Sequence, residues 1–168
     1  TRVKKTDDGA GGILELKSSF QVWLDPVALG QTKMREALEI AKDSVADFVA
    51  SFPESFPPIV INITDGMPTD ATKPDFPEVE VAAQALRAVA NKNGSTALLF
   101  NIHLSSQESQ PISFPNSESQ LPDKFSKLLF RMTSPLTEEM CRIANAAEIE
   151  LLAGARGFVF QGDLVSVI

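Results

Sequence analysis

The chain contains no tyrosine and only one tryptophan, one histidine and one cysteine in 168 residues. A lone Cys141 excludes an internal disulfide and suits a reducing compartment, so a cytoplasmic location is expected. The ligand spacing of a zinc site is missing as well. Basic residues are few: 15 Lys and Arg against 22 Asp and Glu leave a net charge of −7. That balance argues against nucleic acid or an anionic membrane as partner, because phosphate binding needs a basic face. No apolar run reaches the length needed to cross a bilayer, and no secretory signal is present. Gly-x-Ser-x-Gly does not occur. Gly154-Ala155-Arg156-Gly157 is too short and precedes a strand, and Gly9-Ala10-Gly11-Gly12 runs into strand-like residues, so neither reads as a phosphate cradle.

What is present suits one soluble globular domain over 1–168, with 43% hydrophobic and 22% charged residues. Residues 1–12 read as a flexible, polar lead-in. Residues 13–16 and 20–24 read as two short strands, plausible as a hairpin. From Met34 to Phe52, Met34, Ala37, Leu38, Ala41, Val45, Phe48, Val49 and Phe52 recur at helical spacing, opposite a charged face. Pro53, Pro57 and Pro58 end this helix and launch Ile59-Val60-Ile61-Asn62-Ile63, a run read as a strand buried on both faces. A helix from Pro77 to Asn93-Gly94 follows, with Val79, Ala82, Ala83, Leu86, Val89 and Ala90 inward. Residues 96–104 read as a second buried strand, 105–120 as an exposed loop, 122–132 as a short helix and 157–160 as a third strand. Ser134-Pro135 is expected to cap a further helix, with Glu138 and Glu139 at its positive end. A final helix is expected from Asp163. The alternation predicts an α/β fold, an open and mainly parallel Rossmann-like sheet with helices on both faces. The opening at Thr1 without a methionine, and the apolar finish at Ile168, read as a piece of a longer protein.

Ligands of such sheets bind beyond the carboxyl ends of the strands, and Asp65 falls at that place, before a loop at 68–77 that is long enough to suggest function. Ile61-Asn62-Ile63-Thr64-Asp65-Gly66-Met67-Pro68-Thr69-Asp70 resembles the fourth-strand motif of von Willebrand factor type A domains. Leu29-Gly30-Gln31-Thr32-Lys33-Met34-Arg35-Glu36-Ala37-Leu38 is similar to the segment that carries the same family's metal-site threonine, with Lys33 in place of proline. The resemblance implies a metal-ion-dependent adhesion site with Thr32 and Asp65 as ligands, Asp70 in support, and Mg2+ or another divalent cation bound in a longer parent protein and none expected in this chain. The family's third segment, Asp-x-Ser-x-Ser, is missing; Asp25-Pro26-Val27-Ala28-Leu29 lacks both serines. The site is therefore incomplete here, and the first two strands of the family's sheet are not found. Their absence would leave the edge of strand 59–63 open for self-association.

The resemblance implies a protein–protein binding module whose partner presents a carboxylate, and its wording is closest to intracellular bacterial members. The alternative is a metal-assisted hydrolase of another doubly wound family, using Asp65, Asp70 and His103. Blander readings stand beside these. Asp65 braces its turn, Asp70 is a solvated turn residue, and His103 is a partly buried histidine bonded to a loop carbonyl.

Overall fold

The computed structural model describes residues 2–7, 12–18, 30–105 and 110–161. They fall into two compact units, residues 1–30 and 31–168. In the first, β1 (Arg2–Asp7) pairs antiparallel with β2 (Ile13–Ser18). Half of the lead-in expected to be flexible, Arg2–Asp7, is thus a strand. Its polar sequence carries no apolar alternation, and only the antiparallel pairing with β2 makes it a strand. The strand read at 20–24 and the helix read from Asp163 lie outside the described residues.

The second unit runs α1 (Met34–Ser51), β3 (Ile59–Thr64), α2 (Pro77–Arg87), β4 (Leu98–His103), β5 (Ile112–Ser113), α3 (Lys124–Met132), α4 (Glu138–Ala146) and β6 (Phe158–Phe160). Its four-stranded sheet has the order β3-β4-β6-β5, parallel except for β5, which runs antiparallel to β6. This is an α/β unit with a mixed, mostly parallel sheet. Strand β5 sits in the stretch read as an exposed loop. Two residues give no periodicity to detect, and only the partner strand makes them β.

Register decides where the core lies. Val60 pairs with Leu99, Asn101 with Phe158 and His103 with Phe160, so these residues share one face. There Val60, Leu99, Phe158 and Phe160 meet Leu38 and Val49 of α1, Val79 and Leu86 of α2, and Leu128 and Leu129 of α3. Strand β3 is not buried on both faces. Ile59, Ile61 and Ile63 on the opposite face are 49%, 56% and 51% exposed. The reason is position: among the described residues β3 pairs only with β4, so it is an edge. Nearer β6 that same face is closed, with Leu98, Ile102 and Val159 buried.

Helix α1 has the predicted span but a narrower buried stripe of Met34, Leu38, Val45 and Val49. Ala37 is exposed, and Phe48 and Phe52 are largely so, their rings tilted 42° to each other with centroids 5.1 Å apart. The helix packs chiefly against α2, and a helix–helix seam is narrower than a helix laid across a sheet. Helix α2 stops at Arg87, short of Asn93-Gly94. Asn91 accepts from the amides of Asn93 and Ser95 and builds a turn there, with Ala90 bridged to Thr96. Helix α4 is capped by Thr137, whose hydroxyl accepts from the Met140 amide. Glu138 and Glu139 occupy its first turn as predicted.

Ser134, expected to be that cap, patches the sheet instead. Its hydroxyl accepts from the Leu99 amide at 3.0 Å, its amide donates to the Leu99 carbonyl, and its carbonyl accepts from Gly157. Beside it Asn101, fully buried, donates to Thr133 Oγ1 (2.8 Å) and the Leu129 carbonyl while accepting from Asn62. Every polar atom of that amide is engaged, as a buried polar group requires. Arg87 and Arg156 donate to the carbonyls of Met132 and Thr133 that close α3, where cations suit the helix dipole. Burial, and then the proximity of Arg156, hold the Arg87 guanidinium below its usual pKa.

Candidate functional site at the carboxyl end of the sheet

The run Ile-Val-Ile-Asn-Ile-Thr ends at Thr64 because Gly66 turns the chain with φ +97°, a left-handed conformation that suits glycine. A methyl group at Gly66 would lie 2.6 Å from His103 Nε2 and 3.0 Å from Phe125 Cβ, so the turn is also pressed against its neighbours. The bracing side chain is Thr64, whose hydroxyl accepts from the Gly66 amide at 3.1 Å. Asp65 does not brace the turn. Its carboxylate is exposed and hydrogen-bonds to no described residue. Its backbone carbonyl accepts from His103 Nε2 at 3.0 Å.

Asp70 is not a free turn residue. Its carboxylate accepts from the amides of Arg35 (3.2 Å) and Glu36 (2.9 Å), and its carbonyl accepts from Arg35 Nε. Lys33, at the N-cap position of α1, provides no side-chain cap. A carboxylate from another loop therefore does the work that an Asp or Ser at position 33 would do, facing the positive end of the helix. One residue earlier, the Thr69 amide donates to the Thr32 carbonyl at 2.9 Å. The structure thus zips together the two segments singled out in the sequence. Thr32 and Asp65 lie in those joined segments, Thr32 half-buried and Asp65 exposed.

The rest of the loop is closed by Glu78, which accepts from the amide and hydroxyl of Thr72. Those two hydrogen bonds hold the Glu78 carboxyl below its usual pKa. Phe76, buried, takes φ 54° ahead of α2, a costly conformation for an aromatic residue, and packs its ring 6.0 Å from Phe125. On the other side of Asp65, His103 is 2% exposed and sits edge-on to Phe160. Since a carbonyl only accepts, Nε2 carries the proton, and Nδ1 is buried with no partner among the described residues.

The donor set does not amount to a cation site. Among the described residues no three His, Cys, Asp or Glu side chains gather where an ion could be held. Asp70 is occupied by α1, which leaves the Thr32 hydroxyl and the Asp65 carboxylate, whereas Ca2+ takes six to eight oxygens and Mg2+ an octahedron. Among the described residues no helix is long and apolar enough to cross a membrane. No protein-family model, curated protein or solved structure matches this chain.

Proposed function

We propose that this chain is a protein–protein binding module built like a von Willebrand factor type A domain, docking through the carboxyl end of its sheet. One observation carries the reading. The Thr32 and Asp65 segments, which resemble two separate pieces of that family's adhesion site, are bound together by Thr69 and Asp70, with the Asp65 carboxylate left exposed beside them. The sheet order of the second unit, with α/β alternation around β3, β4 and β6, agrees with an open Rossmann-like plan. The proposed partner presents a carboxylate. Two oxygen ligands are too few to hold its bridging cation firmly, so no chemical step is assigned to a metal here.

The geometry favours binding over hydrolysis. Asp70 is committed to the amides of α1, and His103 Nε2 is committed to a backbone carbonyl. That leaves Asp65 without the acid–base partners that the hydrolase reading requires. The test is an assay of generic phosphoester turnover in Mg2+ or Mn2+, run beside binding of an acidic peptide. Peptide binding weakened by Asp65→Ala, with no turnover, is expected. Turnover abolished by Asp65→Ala would establish the hydrolase instead.

A further inference from the structure

Arg87 closes the end of α3 with only part of its guanidinium. All its hydrogen bonds run from Nη1, to the carbonyls of Arg131, Met132 and Thr133. Nε and Nη2 carry three more N–H donors. Those donors meet no acceptor among the described residues, and neither nitrogen is sealed from solvent. Arg156 stands close by. Its Nη1 lies 2.8 Å from the Thr133 carbonyl oxygen, and Arg87 Nη1 lies 3.4 Å from the same atom. Among the described residues no carboxylate forms an ion pair with either guanidinium. The end of α3 sets roughly half a negative charge against these two positive ones. The local surplus is positive, in a chain whose net charge is −7.

Arg87 also lines a cleft of about 420 Å³ between the end of α2, the start of β4 and the start of α4. Ala88, Thr96, Pro135, Leu136 and Thr137 belong to its wall, and among the described residues no acidic side chain does. Leu98 opens β4 and lines the cleft too, so this is the amino end of the sheet. The Asp65 end is a strand's length away, roughly 16 Å. The volume is that of a small-molecule site, about 300–1,000 Å³.

Nε and Nη2 project from one edge of one planar group, so covalent geometry alone lets a single oxyanion accept from both. Carboxylate and phosphate each fit such a fork. The surroundings favour carboxylate. Its single charge matches one guanidinium, whereas Arg156, laid over the Phe130 ring at 4.8 Å, is not in the wall to serve a second charge. The side chains of Ala88, Pro135 and Leu136 give no hydrogen bonds to further oxygens and suit an apolar body. We propose that this cleft binds a small carboxylate with an apolar body, held bidentately by Arg87 Nε and Nη2. The site is separate from the docking surface and does not depend on that reading.

The test is an NMR titration of the 15N-labelled chain in EDTA at constant ionic strength. The probes are isovalerate, its neutral amide isovaleramide, and inorganic phosphate. Isovalerate should move the Arg87 Nε–H signal and the amides of Ala88, Thr96 and Thr137 together and saturably, with a dissociation constant on the order of 1–10 mM. Isovaleramide should leave them in place, and phosphate should bind more weakly than isovalerate. Arg87→Lys keeps a cation for the α3 carbonyls but removes the fork, and should weaken isovalerate about tenfold or more. Gln84→Glu sets a carboxylate in the same wall, one turn before Arg87, and should compete to a similar extent. Should Arg87→Lys fail to fold, Gln84→Glu decides alone. Absence of saturable shifts, an equal response to isovaleramide, tighter binding of phosphate, or unchanged affinity in a folded variant overturns the proposal. EDTA removes any divalent cation and the cleft contains no residue of the docking surface, so failure here leaves the docking reading untouched.

Discussion

At the scale of single residues, the carboxyl end of the sheet depends on side chains whose roles differ from their appearance. Asp70 looks like one more acidic loop residue, yet it closes the first turn of α1 from 34 positions away. Replacing it with alanine should cost about 1–2 kcal/mol in urea unfolding, as loss of a cap does, whereas a solvated turn residue would cost within about 0.5 kcal/mol. Gly66→Ala should cost more, about 2–4 kcal/mol, because it combines a left-handed backbone with a methyl forced into His103 and Phe125. A near-neutral Gly66→Ala in the same denaturation experiment would show that the turn has room. Asn101 belongs to the same class. A polar residue inside a strand reads as an exposed position, and only the pairing with Asn62 and Thr133 explains its burial.

At the scale of elements, legibility in the sequence followed length and periodicity. Helix α1, strands β3 and β4, α3 and β6 are where their patterns place them, because each carries enough apolar periodicity to declare itself. Strands β1 and β5 did not, since their partners make them strands. The exposure of Ile59, Ile61 and Ile63 was hidden for a related reason: a run of β-branched residues looks alike at the centre of a sheet and at its edge. That edge has no charged residue to blunt it, so it should drive concentration-dependent association. Ile61→Lys should lower the apparent mass of concentrated samples in sedimentation, and identical profiles would remove the edge from consideration. The loop ahead of α2 has a pH limit. Because the folded Glu78 pKa is depressed, its hold on Thr72 is full above the ordinary glutamate range of about 4 and is lost as pH falls through the lower folded value. Protection of the Thr72 amide should fall over that interval in the wild type and be low throughout in Glu78→Ala.

At the scale of the whole molecule, the sequence announced two motif segments and the fold joined them. What it left unsaid was the means. Thr69 and Asp70 clamp the Thr32 segment through backbone groups, and backbone partners leave no residue signature beyond an Asp at a suitable place. The lone histidine is bonded to a loop carbonyl, that of Asp65, as the blander expectation for it has it. The central proposal is that the Thr32 and Asp65 segments form one docking surface at the carboxyl end of the sheet. Substoichiometric Mn2+ tests it most directly, since paramagnetic broadening marks every amide near even a weakly held ion. The account predicts that amides of 31–33 and 65–69 broaden together and first, and recover in Asp65→Ala. Broadening of one segment without the other, or of both unchanged by Asp65→Ala, would contradict it.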